Sequence, residues 1–404
     1  MGFAVQILTF TTLYPSASQP QHGIFVETRL RKLVESGAVG ARVVAPCPWF
    51  PIGSAWLGRY AAFARIPGAE TRHELHIDHP RYPLLPKIGM SVAPLALATA
   101  VLPFLRRQIR HGRDFDLIDA HYFYPDGVAA VLLGRALGRP VVVTARGSDL
   151  NVIAQHAIPR RWIRWAAKHA DGLITVSSGL KQRLVELGIA AGRVRVLRNG
   201  VDLALFRPCD RNTARYALGL TRPTLLAVGN LVALKRHHLM IEALTQLPGV
   251  ELVIVGEGPE RGAIERLSHK RRVADRVRLL GRVAQDRLPE IYAAADLLLL
   301  VSSHEGWPNV LLESMACGTP VVVSDIGGIT DIVAAREAGR ILADVTPSRL
   351  AATVREFLAA LPPRAATRIY AEQFDWQSTT EGQIALFHQI CKRRSTEEAV
   401  VPAA

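Results

Sequence analysis

Two glutamates, Glu305 and Glu313, stand eight positions apart in the stretch from His304 to Pro320, on either side of a predicted helix start. The apolar run before them, 296–303, predicts a buried strand; Pro308 suits a first helical turn and Gly318 the position just past a helix end. The first backbone N–H groups of that helix, at Asn309, Val310 and Leu311, have no partner within a helix and lie at the positive end of its dipole. They form an anion site suited to a pyrophosphate. A carboxylate accepts hydrogen bonds from vicinal hydroxyls, so one glutamate could hold a ribose and the other a sugar, with the diphosphate between them. Taken alone, the spacing fits ordinary helix-entry and surface glutamates better than a ligand site.

Other residues carry complementary chemistry. Gly229, after an apolar run, permits close backbone approach, and Lys235, six positions on, can return to a phosphate as a point charge. Gly256 opens a strand-to-helix turn with Gly258 and Pro259, a turn that uses glycine with or without a ligand. His121 follows the end of a buried strand, where strand carboxyl ends face a ligand crevice, although a lone histidine is commonly structural. Arg146 could take an anionic group. Ser148 and Asp149 could bind hydroxyls or simply cap a helix. Gly23 ends a long loop at a helix start that could approach phosphates.

The Glu-x₇-Glu pattern followed by Ala316, Cys317, Gly318, Thr319, Pro320, Val321 and Val322 resembles the retaining glycosyltransferases of family 4. The resemblance covers most of the chain and is strongest over 296–333. It implies the α/β GT-B architecture: two Rossmann-like doubly wound parallel-sheet domains facing a central cleft. It implies a nucleotide-diphosphate sugar as donor and a carbohydrate or lipid-linked acceptor, with Glu305 on the donor sugar, Glu313 on the ribose and Lys235 on the donor phosphate. Gly229 to Lys235 is similar to the family's Gly-x₅-Lys element. Asn230 stands where many relatives have arginine, which leaves Arg236 as the substitute contact. Gly256 would border the nucleotide, Arg282 and Val283 the base. Gly23 would meet donor and acceptor, His121 the transferred sugar or acceptor, and Arg146, Ser148 and Asp149 the acceptor side. Asn199 and Asp202 match a structural interdomain turn. Asp331 replaces the usual glutamate. No cofactor or metal is expected, Lys235 and the helix dipole taking the cation's place.

These residues need strands that end at a common edge. Residues 5–10, 42–45, 117–120, 141–144, 173–176 and 194–197 predict one series of buried parallel strands, and 224–228, 252–255, 277–280, 297–301 and 321–324 a second. The turn-rich segment from Asn199 to Pro208 separates them. The expected domains are therefore 1–200 and 201–375, with a terminal helix over 376–390, marked by Phe374 and Trp376, crossing back onto the first.

The 404 residues carry a net charge of +14, held almost entirely by one half: residues 1–200 contain 25 Lys and Arg against 12 Asp and Glu, residues 201–404 contain 24 against 23. Such a face attracts nucleic acid, anionic lipid or a phosphorylated substrate, and charge alone does not choose. The basic, aromatic stretches 58–65 and 160–168 could rest on an anionic membrane surface or be solvated helix faces with tryptophans turned inward. The apolar segment 88–105, interrupted by Pro94 and Pro103, predicts a buried helix rather than a span. Four scattered cysteines without metal-ligand spacing fit reduced thiols. The N-terminus lacks a basic region ahead of its apolar run, so a cytoplasmic protein, peripheral at the membrane face, is expected. Nucleic acid is not expected as a partner. Two rivals stand beside a glycosyltransferase: another GT-B enzyme, an epimerase or phosphorylase, and a non-enzymatic basic protein binding membrane or nucleic acid.

Overall fold

Short runs of valine, leucine and isoleucine form two parallel sheets, one in each of two units of a computed structural model that describes residues 5–49, 63–83 and 89–400. One unit runs to Asn199 and resumes at Gln377; the other is Gly200–Trp376.

The strands of the first unit are β1 (Val5–Phe10), β2 (Val39–Val44), β3 (Cys47–Pro48), β4 (Ala69–Arg72), β5 (Leu75–Asp78), β6 (Arg81–Tyr82), β7 (Leu117–His121), β8 (Val141–Ala145), β9 (Gly172–Thr175) and β10 (Val194–Val196). Eight of them form a sheet in the order β10-β9-β8-β7-β1-β2-β5-β4, parallel except for the β4–β5 hairpin, while β3 and β6 pair separately. Helices cover both faces, so β7 and β8 are buried at every position. Unbroken apolar runs are what such strands require. The chain leaves β1 for β2 on one side and later returns to β7 on the other. The topological switch point, where α/β proteins bind ligands, therefore lies between β1 and β7.

The β4–β5 hairpin has no counterpart in the sequence reading. Its turn residues, His73 and Glu74, both have positive φ, 47° and 65°. A two-residue turn of this kind normally announces itself through asparagine or glycine. The strand before it, Ala69–Arg72, alternates exposed and half-buried residues and carries no large apolar side chain, so neither periodicity nor turn chemistry marked it.

The second unit contains β11 (Thr224–Val228), β12 (Glu251–Val255), β13 (Val277–Gly281), β14 (Leu297–Leu300), β15 (Val321–Ser324) and β16 (Gly339–Leu342), ordered β13-β12-β11-β14-β15-β16 and all parallel. Leu225, Leu252, Ile254, Leu297 and Leu299 build its core together with Leu350, Val354 and Phe357 of a covering helix. Here the switch point lies between β11 and β14. β16 also went unpredicted: it is only four residues long and begins at a glycine.

The terminal helix, Gln377–Val400, belongs to the first unit, where Leu386, Phe387 and Ile390 join Val26, Leu30, Leu117 and Ile174 in the core. Phe374 and Trp376, expected to mark this helix, precede it and lie in the second unit. Phe374 packs its ring against Tyr370 and Trp307.

The helix Gly89–Arg110 contains both prolines and is only partly buried. Ala93, Leu97, Ala98, Val101 and Leu105 point into the core, whereas Met90, Val92 and Leu95 are exposed. By length and composition alone it could cross a membrane. In the helix Ala157–His169, Ile163, Ala166 and Ala167 face inward, and Trp165 is half-buried against Trp162 and the Arg135 guanidinium. This matches the inward-packed reading of that stretch. Of the basic stretch 58–65, residues 58–62 lie outside the described residues, as does Ile88. All four cysteines are free thiols.

Candidate functional site

Two loops leave the switch point of the second sheet, one after β11 carrying Lys235 and one after β14 carrying Glu305. Lys235 Nζ donates to Glu305 Oε1 at 2.6 Å, with both side chains largely buried. Ser303 N–H donates to the Leu234 carbonyl at 2.8 Å. Arg236, in a left-handed conformation (φ 49°), donates from Nε to the Val301 carbonyl at 2.6 Å and from Nη2 to that of Ser302 at 2.7 Å. Its guanidinium thus braces the end of β14. Arg236 acts as a structural clamp in this arrangement through Nε and Nη2. Asn230 is exposed.

Glycines let these loops pack backbone to backbone. Gly256 has φ 142°, its N–H donates to the Gly281 carbonyl at 2.8 Å, and a Cβ there would lie 1.9 Å from the Gly229 carbonyl oxygen. Gly229 N–H in turn donates to the Val255 carbonyl at 3.0 Å. Arg282 and Val283 follow β13 at the same edge, Arg282 exposed and Val283 half-buried.

The helix after Glu305 runs Asn309–Ala316 and is capped by Pro308; Gly318, at φ 82°, follows its end. Asn309 and Val310 are half-buried at its first turn. Leu311 N–H donates to the Pro308 carbonyl at 3.1 Å, which removes it from the three expected anion donors. Glu313, one turn in, accepts a 2.7 Å hydrogen bond from the Tyr292 hydroxyl, and burial pushes its carboxyl up to about 7 despite that bond. Three buried polar atoms of these two loops, His237 Nδ1, Ser302 Oγ and His304 Nε2, have no hydrogen-bond partner among the described residues. His237 is held neutral, its pKa pushed down to about 4 by burial and then by Lys235. Sequence reasoning missed His237, two residues from Lys235, and Tyr292, which only the fold brings beside Glu313.

The first unit treats its expected site residues differently. His121 is 1% exposed, and both ring nitrogens are engaged. Nε2 lies 3.2 Å from Asp119 Oδ2 and Nδ1 lies 2.7 Å from Arg146 Nη2. Arginine can only donate, so Nδ1 is the acceptor and Nε2 carries the proton toward Asp119. Burial drives the His121 pKa down to about 4 and keeps the ring neutral. Arg146 Nη1 donates to Asn199 Oδ1 at 3.0 Å. Gln383 of the terminal helix donates to Asp119 Oδ2 at 3.0 Å and accepts from Arg29 Nε at 2.8 Å. Asp149 accepts backbone N–H donation from Phe123, Arg146, Gly147 and Leu150. His121, Arg146 and Asp149 are thus buried and engaged by other residues of the unit, although Arg146 Nε has no hydrogen-bond partner among the described residues. Ser148 alone of the acceptor-side residues is exposed, its hydroxyl 2.7 Å from that of Tyr122.

Gly23 is buried at the helix start, φ 71°, where a Cβ would meet the Leu13 carbonyl oxygen at 2.2 Å. Packing of its own loop thus dictates the glycine. Across the β1–β7 switch point, Asp126 accepts from Thr12 N–H at 2.7 Å and from the Thr11 and Thr12 hydroxyls. Burial pushes its carboxyl up to about 7. Among the described residues no cluster of His, Cys, Asp or Glu is arranged to hold a metal ion.

The family model for glycosyl transferases group 1 matches residues 210–374, and that for glycosyltransferase family 4 matches residues 59–205. A D-inositol 3-phosphate glycosyltransferase of Acidothermus cellulolyticus is 33% identical, over 77% of this chain and 75% of the relative. Another, of Mycolicibacterium gilvum, is 32% identical over 71% and 69%. Among solved structures, sucrose-phosphate synthase from Thermosynechococcus elongatus superposes with a TM-score of 0.77 at 21% identity, covering 96% of this chain and 99% of that one. The Anabaena protein HepE in complex with UDP and glucose gives 0.71 at 20% identity, covering 95% and 98%.

Proposed function

Given that the chain belongs to the family 4 glycosyltransferases of the GT-B fold, we propose that it moves a hexose-type sugar, with retention, from a nucleotide-diphosphate donor to a carbohydrate or lipid-linked acceptor. The observation that carries this reading is the Lys235–Glu305 pair, which joins the two loops leaving the switch point of the second sheet beside the helix start at Asn309. The diphosphate lies against Lys235 and the N–H groups of Asn309 and Val310. Glu305 orients the donor sugar, and Glu313, steadied by Tyr292, accepts from the ribose hydroxyls. Gly229 and Gly256 let the backbone approach the nucleotide, and Arg282 and Val283 border the base. UDP is the first nucleotide to try, since HepE was solved with it.

In the transfer step the acceptor hydroxyl attacks the anomeric carbon on the face that the diphosphate leaves. A bond forms from acceptor oxygen to anomeric carbon as the bond from carbon to phosphate oxygen breaks, and the hydroxyl proton passes to the departing diphosphate. Charge develops on that oxygen, where fixed positive groups act most strongly. Lys235 and the helix start supply them without a metal. The basic excess of residues 1–200 supports a cytoplasmic enzyme working at an anionic membrane surface.

The test is nucleotide diphosphate release from UDP-, GDP- and ADP-sugars with membrane extract as acceptor. Release that requires acceptor supports transfer. Release without acceptor, or interconversion of the donor sugar, favours a hydrolase or an epimerase instead.

A further inference from the structure

β10 and β9 close one edge of the first sheet, and their amino ends lie opposite the carboxyl ends where a ligand crevice forms. A pocket of about 230 Å³ opens at those amino ends, between Asp171 ahead of β9, Arg193 and Arg195 at the start of β10, and Gln389 and Arg393 of the terminal helix. Gly172 keeps the helix close to the sheet: a Cβ there would stand 2.9 Å from Ile390 Cδ1.

Three of the lining side chains are guanidiniums and one is a carboxylate. Arg193 donates from Nη1 to the Lys168 carbonyl at 3.3 Å and from Nη2 to that of Ala170 at 2.8 Å, which caps the helix Ala157–His169 and fixes the guanidinium in place. Arg195 Nη2 donates to Gln389 Oε1. Both arginines thus spend their printed hydrogen bonds on neutral oxygens, and neither forms an ion pair among the described residues. Asp171 is engaged elsewhere: Oδ2 accepts from Val141 N–H at 2.9 Å, and Oδ1 lies 3.5 Å from Arg393 Nη2. Three cations against one anion leave the lining a formal +2.

A cation would meet three guanidiniums, and a neutral ligand would leave their charge unbalanced. The planar fork of arginine matches the oxygens of a carboxylate or a phosphate. Of the two, a phosphomonoester carries about −1.5 to −2 near neutral pH and presents three strong acceptor oxygens, which fits both the excess charge and the number of guanidiniums. The volume equals about eight water molecules, room for a phosphate group and a short carrier.

We propose that this edge pocket binds a phosphate group, carried by a soluble phosphomonoester or by a lipid headgroup, and held by Arg193, Arg195 and Arg393. Bound there, the phosphate ties the edge strands to the terminal helix. The site shares no residue with the diphosphate site proposed at Lys235, and its assignment does not depend on the transferase reading.

The test is a phosphorus NMR titration of inorganic phosphate and of glycerol 3-phosphate with the full chain at constant ionic strength, beside flotation with phosphatidylcholine vesicles containing phosphatidic acid. Each arm is repeated in a Lys235→Ala background, so that phosphate taken up at the donor site is not counted. Saturable binding of a phosphate probe is expected in both backgrounds, with a rise in melting temperature. Arg195→Gln and Arg393→Gln, each shown to be folded by thermal melting without phosphate, should weaken it about tenfold, the worth of one charge-assisted contact. Arg195→Lys, which keeps the charge, should lose less. Binding of glycerol 3-phosphate assigns a soluble ligand; binding to the vesicles alone, lost in Arg195→Gln, assigns a headgroup. Binding that is absent for all three probes, does not saturate, disappears with Lys235, or ignores both arginine substitutions would overturn the proposal.

Discussion

Lys235 Nζ and Glu305 Oε1 stand 2.6 Å apart, each on a loop that leaves the same switch point of the second sheet. The pair sets the geometry of the site: the side chain proposed for the diphosphate is held in place by the one proposed for the donor sugar. Lys235→Ala should lower kcat about 10²- to 10³-fold, as removal of one preorganised charge does, and weaken nucleoside diphosphate binding. Glu305→Gln keeps a hydrogen-bond acceptor for Lys235 but loses the charge, and should impair turnover more than diphosphate affinity. Steady-state kinetics beside calorimetric titration separate the two.

Glu313 should make stability depend on pH. Its folded-state pKa is raised to about 7 by burial, above its ordinary carboxylate value. The folded state therefore binds the proton more tightly. This contribution is fully present at acid pH and is lost as pH climbs from the unfolded value through about 7. Asp126 acts in the same direction. Urea denaturation of wild type and Glu313→Gln at about pH 5 and about pH 8 isolates the first group. The variant should gain relative to wild type at the higher pH; equal pH dependence in both would show that Glu313 titrates normally.

His121 should behave as a structural residue. Removing it takes one hydrogen-bond partner each from buried Asp119 and Arg146, so His121→Ala should cost about 1–3 kcal/mol. Its depressed pKa, about 4, means that the unfolded state takes up the proton first. Stability from this group is full above the unfolded value and falls as pH drops toward about 4. Gln383→Ala, on the other side of Asp119, should couple to His121→Ala by about 0.5–3 kcal/mol in a double-mutant cycle. Additive losses would show that the network is not a unit.

Gly256→Ala should disturb the nucleotide loops specifically. Its φ of 142° is unfavourable for an L side chain, and the added carbon meets the Gly229 carbonyl oxygen at 1.9 Å. Relief requires the loop after β11 to shift, and Lys235 with it. Loss of nucleoside diphosphate affinity larger than the change in melting temperature is the expected signature. Gly37→Ala, where no atom lies within 4 Å, is the control for left-handed strain alone.

The parallel framework was legible in the sequence because buried parallel strands must be continuous apolar runs. Val5–Phe10, Thr224–Val228 and Val321–Ser324 match their predicted bounds, and the helix after Glu305 starts one residue past Pro308. Polar edge elements were not legible, since Ala69–Arg72 carries neither apolar alternation nor a glycine turn. Site residues divided along a similar line. Lys235 and Glu305, on loops spaced by strands of known register, stand together at one edge. His121 and Arg146 are instead engaged with each other across 25 positions and Arg146 with Asn199 across 53, and no local pattern indicates that a polar side chain will be consumed by such contacts. Tyr292 was hidden for the same reason, twenty-one positions from the Glu313 it holds.

The most direct measurement is calorimetric titration of UDP, GDP and ADP into the full chain in excess EDTA, repeated on Lys235→Ala. The account predicts that at least one nucleoside diphosphate binds without divalent metal and that the substitution weakens it roughly tenfold or more, the loss of a charge-assisted contact. Binding that needs a divalent ion, or is indifferent to Lys235, or is absent for all three nucleotides, would contradict it.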